Sequence, residues 1–188
     1  MFSLDISLFN FLFNLGQKLG ANWFFIFFAT YLPYLIVAAL PFLIYKEKNA
    51  KRRIYLLGFS ILGLILSRGI VTEVIRYVFP YVRPFLSLNL NPMLVDTASS
   101  FPSGHMTFLF VIVFSAFLMN KKWGWILAGA SLATGISRII AGVHWPSDIV
   151  GGIIVAGAVF ALLYYLVLPP KKIIPPVENK EEIQIQNV

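Results

Sequence analysis

Residues 148–168 have the sequence DIVGGIIVAGAVFALLYYLVL, in which Asp148 is the only charged residue. A helix of this length is about 30 Å long, which matches the hydrocarbon core of a bilayer. Four more apolar stretches lie at approximately 21–45, 54–79, 105–119 and 123–141. The sequence therefore predicts an all-α integral membrane protein built as a bundle of about five transmembrane helices.

The composition of the whole chain agrees with this prediction. Its 188 residues are 59% hydrophobic and 12% charged, which is more apolar surface than one soluble core can bury. We expect a single membrane domain over residues 1–168. Residues 169–188, rich in proline and mixed charge, are predicted to form a disordered cytoplasmic tail. The absence of cysteine excludes disulfides, thiol catalysis and cysteine-ligated metals.

The first eighteen residues combine bulky apolar side chains with regularly spaced polar ones. The polar side chains recur at steps of three and four residues, and they are Ser3, Ser7, Asn10, Asn14 and Gln17. This spacing predicts an amphipathic helix that lies in the membrane interface. The alternative is that the segment forms part of a slightly polar span.

The stretch that begins at His105 is short for a bilayer crossing. We expect it either to continue N-terminally through Pro102–Gly104 or to start below the membrane surface. Small residues in the last two stretches predict close helix packing. They are Gly124, Ala128, Gly129, Ala133, Gly135, Gly151, Gly152, Ala156 and Gly157.

The formal charge of +7 comes from basic residues that lie in short clusters between the apolar stretches. Such clusters mark cytoplasmic loops, and they do not form the basic face of a nucleic-acid-binding protein. They are Lys46, Lys48, Lys51, Arg52, Arg53, Lys121, Lys122, Lys171 and Lys172. The loop 80–104 and the turn 142–147 are then predicted to face outward. We expect a multi-pass cell-membrane protein with a cytoplasmic C-terminus and no nucleic-acid partner.

Two arginines leave the outer end of the second stretch, in the segment Arg76-Tyr-Val-Phe-Pro-Tyr-Val-Arg83-Pro84. A guanidinium presents a planar fork of donors that suits phosphate oxygens. Both side chains could instead extend to lipid headgroups. Glu73 lies three residues before Arg76 and could form a helical ion pair that orients it, or could simply neutralise it.

The segment Ser99–His105 opens the third stretch and contains Pro102-Ser103-Gly104-His105. Proline, a hydroxyl and a glycine near a helix start expose backbone N–H groups at its positive end, which suits an anion. His105 would be within reach of the same anion. A capping turn beside a buried structural histidine is the alternative.

The third segment joins the fourth and fifth stretches, with Ser137-Arg138 followed by His144 and Asp148. Gly142 can end one helix and Pro146 can begin the next, so His144 and Asp148 can meet across the turn. An aspartate that holds one imidazole nitrogen leaves the other free to attack. A His–Asp pair can also be structural, but the upstream Arg138 favours function.

Together the three segments resemble the signature of the type-2 phosphatidic acid phosphatase superfamily. That signature is basic-x6-Arg-Pro, then Pro-Ser-Gly-His, then Ser-Arg-x5-His-x3-Asp, and its order and spacing match residues 76–148. The first position is usually lysine in the family, and here it is Arg76. The positive charge is kept, so we expect the role to be kept, while the wider fork leaves its reach and the fine substrate preference open.

The resemblance implies roles for eight residues. His144 would attack phosphorus and form a phosphohistidine, with Asp148 orienting it, and His105 would protonate the departing oxygen and then activate water. The phosphoryl oxygens would be held by Arg76, Arg83, Arg138, Ser103 and the N–H of Gly104. The sequence shows no carboxylate cluster suited to Mg²⁺, so we expect no metal and no cofactor.

The small five-span outline resembles bacterial undecaprenyl diphosphate phosphatases, so this lipid is the expected substrate. Phosphatidylglycerophosphate and lipid A phosphate are the alternatives, and lateral entry from the membrane is favoured by the depth of the site. The signature also resembles vanadium-dependent haloperoxidases, but those are larger and soluble. A catalytically silent lipid-binding or lipid-moving relative would lack a motif histidine or arginine, and here all are present.

Overall fold

The computed structural model describes residues 3–167, and throughout this range the only regular elements are helices. The order is α1 (Ser3–Leu19), α2 (Asn22–Thr30), α3 (Leu32–Tyr45), α4 (Ala50–Leu64), a π-helical segment (Ile65–Val71), α5 (Thr72–Val78), α6 (Pro84–Ser87), α7 (Gly104–Met119), α8 (Lys121–Ile140) and α9 (Pro146–Val167). The prediction of an all-α protein is confirmed. The tail predicted over residues 169–188 lies outside the described residues.

Three helical stretches of the described chain are long and apolar enough to cross a membrane, namely Asn22–Tyr45, Ala50–Val78 and Pro146–Leu166. They coincide with three of the expected spans. Helix α7 is apolar but has 16 residues, and α8 has two lysines in its first turn. The count of five spans stays a prediction.

Two of these stretches are not uniform α-helices. The first is interrupted at Tyr31, because Pro33 in the first turn of α3 has no N–H with which to continue the ladder. The second widens into the π-helical segment, where the Thr72 N–H and hydroxyl both donate to the carbonyl of Ser67. Such segments are frequent at functional sites. This one carries Arg68.

Helix α7 lies at the centre of the bundle and is buried around most of its circumference. Its core residues Met106, Leu109 and Ile112 are at most 1% exposed, and the helix contacts α3, α4, α8 and α9. A helix that is apolar all round is expected in such a position. Neighbouring helices therefore cover α7, which does not need to meet lipid along its whole length.

The start of α7 differs from one sequence-based expectation. The helix begins at Gly104, and Ser103 has an extended backbone with ψ of 112°. It does not continue N-terminally through Pro102, because the extended backbone of Ser103 lies between Pro102 and the helix. The first of the two expectations for this short stretch is therefore wrong. A start below the membrane surface stays a prediction.

Small residues allow close packing of the helices, as predicted, but not at every position. A Cβ on Gly152 would lie 2.7 Å from the carbonyl oxygen of Ser103, and one on Gly135 would lie 2.9 Å from the sulfur of Met106. Gly129 was expected to share this role and does not, since nothing lies within 4 Å of its Cβ position. It is on the exposed side of α8, away from the neighbouring helices.

Helix α1 packs across α8 and α9. Asp5, Phe9 and Phe13 are buried, while the five regularly spaced polar residues are exposed. Phe9 is 0% exposed and packs against Trp145, with ring centroids 5.1 Å apart. The first helix therefore contacts the turn that carries His144. Its position in the membrane interface stays a prediction.

Candidate active site

The turn between α8 and α9 holds His144 and Asp148 against each other. Gly142, with φ of +86°, ends α8, and Pro146 begins α9, so Asp148 falls in the first turn of that helix. The His144 Nδ1 lies 3.1 Å from the Asp148 Oδ2. Their predicted meeting across the turn is therefore observed.

Asp148 is held by several donors. Its Oδ2 accepts the backbone N–H of Trp145 at 2.7 Å and also the hydroxyl of Ser100. Its backbone carbonyl accepts the N–H of Ser103 at 3.0 Å. The carboxylate cannot rotate without breaking these bonds, so it fixes the imidazole plane. A carboxylate on Nδ1 favours the tautomer that leaves Nε2 unprotonated.

Arg83 connects the first segment to the third. Its side chain is 1% exposed, its Nη1 donates to the carbonyl of Val143 at 2.7 Å, and the same atom lies 3.5 Å from the His144 Nε2. Its Nε donates to the carbonyl of Ala98 at 2.8 Å. The guanidinium is thus fixed beside the imidazole nitrogen that faces away from Asp148.

The surroundings keep His144 neutral. Burial, followed by the positive charges of Arg138, Arg83 and Arg76, holds the pKa of its imidazole well below the ordinary value of 6.5. A neutral imidazole with one nitrogen held by a carboxylate has a free lone pair on the other nitrogen. This is the electronic state that a nucleophilic histidine requires.

Arg76 holds the turn that precedes α7. Its Nε and Nη2 donate to the carbonyl of Pro102 at 3.3 and 2.9 Å. Glu73 lies 3.6 Å from the Arg76 Nη1, and it forms a closer ion pair with Arg68. Glu73 is therefore shared between two arginines, which combines the orienting and the neutralising role considered from the sequence.

The residues at the start of α7 lie between these arginines and Asp148. The Ser103 hydroxyl is buried and makes no hydrogen bond within the described part of the chain. A Cβ on Gly104 would lie 2.6 Å from the Arg68 Nε, so the guanidinium occupies space that only a glycine leaves open. An unpaired buried hydroxyl beside a basic cluster is suited to an anionic ligand.

An open cavity of about 590 Å³ reaches this cluster. His105, Arg68 and Arg138 line its polar side, and Pro33, Val37 and Phe108 contribute to its apolar wall. The His144 side chain, by contrast, is only 1% exposed. Basic and apolar side chains are thus adjacent in one opening. All eight site residues predicted from the sequence lie in or around this cluster.

Asp96 is a residue of the site that was not predicted from the sequence. Asp96, in the loop before α7, lines the cavity and places its Oδ2 2.8 Å from the Arg83 Nη2 and 3.5 Å from the Arg138 Nη2. Burial raises the pKa of its carboxyl, but Arg83, the N–H of Ala98 and Arg138 outweigh this, and the pKa lies below its ordinary value. No motif marks this lone aspartate, so the sequence offers no signal for it.

Among the described residues, no group of three or more histidine, aspartate or glutamate side chains is placed to hold a metal ion. The positive charges that face the cavity are those of Arg68 and Arg138. Arginine forks bind tetrahedral oxyanions through paired N–H donors. The cluster is therefore built to hold an oxyanion beside a neutral histidine.

Comparison with known proteins agrees with this geometry. Residues 57–172 match the PAP2 superfamily. The bacitracin transport permease protein BcrC of Bacillus licheniformis is 30% identical over 169 residues, which are 88% of this chain and 81% of that protein. An undecaprenyl-diphosphatase of Sulfolobus acidocaldarius is 29% identical over 145 residues, 75% of this chain and 68% of that protein.

A solved structure is similar as well. The crystal structure of Aquifex aeolicus LpxE superposes with a TM-score of 0.69 at 28% sequence identity, and the match covers 86% of this chain and 94% of that one. The helical bundle described above is thus shared with a solved structure.

The fold and the site define a membrane phosphatase with a buried histidine–arginine centre. The chain belongs to the PAP2 superfamily. The family resemblance stated from the motifs is confirmed, and so is the prediction that the protein is a phosphatase.

Proposed function

We propose that this protein hydrolyses a lipid diphosphate, undecaprenyl diphosphate, to the lipid monophosphate and inorganic phosphate. One observation carries the chemistry: the His144 Nδ1 is 3.1 Å from Asp148, while its Nε2 faces the Arg83 guanidinium at 3.5 Å. A phosphoryl group bound to the arginines would therefore lie next to an available nitrogen lone pair. The undecaprenyl chain is proposed from the similarity to the undecaprenyl-diphosphatase of S. acidocaldarius.

In the proposed first step, the His144 Nε2 attacks the terminal phosphorus and a P–N bond forms. The P–O bond to the lipid monophosphate breaks, and protonated His105 gives its proton to that oxygen. Arg83, Arg138 and Arg76, with Ser103 and the Gly104 N–H, offset the charge on the phosphoryl oxygens. Asp148 stabilises the imidazole while it carries the phosphoryl group.

In the second step, a water molecule attacks the phosphohistidine and His105 accepts its proton. The P–N bond breaks, which releases inorganic phosphate and restores His144. The overall change is lipid diphosphate plus water to lipid monophosphate plus phosphate. The route uses side chains alone and predicts activity in EDTA.

The apolar wall of the cavity supports a lipid substrate. Pro33 and Val37 of α3 and Phe108 of α7 lie beside the polar residues His105 and Arg138 in one opening. A lipid chain could lie on the apolar side while its phosphate reaches the arginines. Entry would then be lateral, from the membrane.

Basic residues support the proposed orientation, with the site on the outer face. The Arg52 Nη2 donates to the carbonyl of Leu118 at 2.9 Å, so the start of α4 and the C-terminal end of α7 lie together. This end carries the basic clusters around Lys48 and Lys121. The site lies at the other end of α7, which is outside the cell if the positive-inside rule holds.

The substrate is tested with purified protein in detergent containing EDTA. Undecaprenyl diphosphate, phosphatidylglycerophosphate and a lipid A phosphate are offered separately, and phosphate release is compared by kcat/KM. We expect undecaprenyl diphosphate to give the highest value. A higher value for another lipid would replace the substrate, and no release from any of them would overturn the hydrolase proposal.

The mechanism is tested with His144→Ala, His105→Ala and the control Ser60→Ala. Ser60 lies in α4, where its hydroxyl bonds only to the carbonyl of Leu56. With terminally ³²P-labelled substrate we expect label on His105→Ala protein, which is slow to hydrolyse the intermediate, and none on His144→Ala. Wild-type turnover by His144→Ala would rule out the proposed nucleophile.

Because the chain has no cysteine, orientation can be tested with single introduced cysteines. Leu88→Cys lies in the loop after α6, near the site, and Lys122→Cys lies at the opposite end of α7 and α8. A membrane-impermeant maleimide added to intact cells should label the first and spare the second. The reverse pattern would place the site in the cytoplasm.

A further inference from the structure

Arg83 has one nitrogen, Nη2, that makes no short hydrogen bond with the protein backbone. Its Nε is bonded to Ala98 at 2.8 Å and its Nη1 to Val143 at 2.7 Å. Its Nη2 makes only a long contact of 3.5 Å with the carbonyl of Ser99, and its close partner is the Asp96 carboxylate at 2.8 Å. The Arg83 nitrogen that is left for a ligand is therefore already paired with a carboxylate.

Asp96 also engages the second arginine of the pocket. The same oxygen, Oδ2, lies 3.5 Å from the Arg138 Nη2, while Oδ1 accepts the N–H of Ala98 at 3.1 Å. A carboxylate oxygen between two guanidiniums is placed as a phosphoryl oxygen would be. The Nε of Arg138 is buried and has no hydrogen-bond partner among residues 3–167, so the pocket offers more donors than the carboxylate uses.

We propose that Asp96 occupies the phosphoryl position in the substrate-free enzyme, and that every incoming phosphate must displace it. This inference rests on the proposed function, because it concerns the same phosphoryl pocket. A phosphoryl group has three oxygens and up to two negative charges, whereas Asp96 has a single charge. A phosphoryl group can therefore displace the carboxylate from the arginines. The Asp96 side chain is 35% exposed and lies on a loop, and it can move towards water.

The exchange separates lipid-linked phosphate from free phosphate. Because the carboxylate is part of the chain, a phosphate can bind only while Asp96 is out of the site. The apparent affinity of any phosphate is therefore the intrinsic affinity multiplied by the fraction of time that the site is empty. A lipid substrate regains affinity through the apolar wall formed by Pro33, Val37 and Phe108, whereas inorganic phosphate has no such contact. Asp96 is therefore a specificity-determining residue that weakens product binding and favours phosphate release.

The test is the affinity for inorganic phosphate, measured both as competitive inhibition and as direct binding by calorimetry to the full chain in detergent. Asp96→Asn removes the charge and keeps an oxygen for the Ala98 N–H. We expect the Ki and Kd of phosphate to fall on the order of tenfold, because no carboxylate then competes with phosphate for the arginines. Damage to a structural residue would weaken binding, not tighten it.

Two controls accompany this variant. Asp96→Glu keeps the carboxylate and should leave the Ki within about threefold of wild type. Glu47→Gln also removes one negative charge, but at the opposite end of the bundle, where Glu47 pairs with the Arg52 Nε at 3.4 Å. The Ki of phosphate for this variant should equal that of wild type. An equal fall in Ki for Glu47→Gln would show a general charge effect and overturn the assignment.

If Asp96→Asn does not fold, Asp96→Ser provides a smaller neutral side chain for the same measurement. A Ki and Kd equal to or higher than wild type in the folded neutral variant overturns the inference. That result is distinct from failure of the proposed function, in which the wild-type protein itself would release no phosphate from any lipid. Calorimetry reads phosphate binding without turnover and keeps the two outcomes apart.

Discussion

Asp5, in the first helix, binds Ser147 at the start of the last helix through both of its carboxylate oxygens. Oδ1 accepts the backbone N–H of Ser147 at 2.9 Å, and Oδ2 accepts its hydroxyl at 2.7 Å. A carboxylate at a helix N-terminus satisfies an otherwise unpaired donor and complements the helix dipole. The contact falls between His144 and Asp148, so α1 holds the turn that carries both.

We therefore expect Asp5→Ala to reduce kcat on the order of tenfold with little change in KM. The free energy of unfolding should fall by about 1–2 kcal/mol, as for loss of a helix cap. Steady-state kinetics and thermal unfolding in detergent measure the two effects. Ser7→Ala is the matched control, because its exposed hydroxyl in the same helix bonds only to Ser3. Unchanged kcat and stability in Asp5→Ala would contradict a positioning role.

Gly152 supports a second prediction, about the contact between α7 and α9. A Cβ there would lie 2.7 Å from the Ser103 carbonyl oxygen and 2.8 Å from the Met106 Cβ. Gly152 is one turn after Asp148, whose carbonyl accepts the Ser103 N–H. Gly152→Ala should push the two helices apart, cost about 1–3 kcal/mol of stability and reduce kcat.

Gly129→Ala is the control for this change, because its Cβ position faces open space in the middle of α8. There the loss of backbone freedom in the unfolded chain should make alanine neutral or slightly stabilising. Thermal unfolding of both variants provides the comparison. Equal destabilisation by the two alanines would show that helix contact is not the cause.

The three motifs of the candidate site could be found from the sequence because the residues of each motif lie close together in the chain. Arg138, His144 and Asp148 lie within eleven positions, and a helix end at Gly142 is enough to bring the last two together. The lengths of the apolar stretches alone also distinguished the predicted spans from the loops. The clustering of three segments was inferred from a shared membrane face, which a membrane protein imposes on alternate loops.

Asp96 and Asp5 could not be predicted because their partners are distant in the chain and their surroundings carry no pattern. Asp5 bonds to a residue 142 positions away. Asp96 stands alone in a loop without helical or strand periodicity, where backbone conformation, not spacing, decides which side chain faces the arginines. The break at Tyr31 was missed for a related reason, since Pro33 is tolerated in the first turn of a helix and only the packing shows that a new helix starts there.

A third prediction contrasts two arginines. Arg83 uses separate nitrogens for Ala98, Val143 and Asp96, and a single ammonium group cannot replace all three. Arg83→Lys should reduce kcat/KM by about 100-fold, comparable to loss of a transition-state donor. Arg76 directs two nitrogens to the one carbonyl of Pro102, which an ammonium can also reach.

Arg76→Lys should therefore retain kcat/KM within about tenfold of wild type, in line with the lysine that the family usually has at this position. Kinetics with the same lipid substrate, supported by thermal unfolding to verify folding, rank the two variants. A larger loss for Arg76→Lys than for Arg83→Lys would contradict the assignment of Arg83 as the more constrained fork.

The last prediction concerns pH. His144 attacks only when neutral, and burial, then Arg138, Arg83 and Arg76, hold the pKa of its imidazole well below 6.5. The acid limb of kcat/KM, which reports the free enzyme, should therefore lie below pH 6.5 in wild type.

Arg138→Gln removes the largest positive charge effect on His144. Without that charge protonation becomes easier, the pKa rises, and the acid limb of the residual activity should move to higher pH. Arg53→Gln, a change in the first turn of α4, should leave the limb in place. If the limb of Arg138→Gln stayed where it is in wild type or moved to lower pH, His144 would not be the group that must lose a proton before phosphorus is attacked.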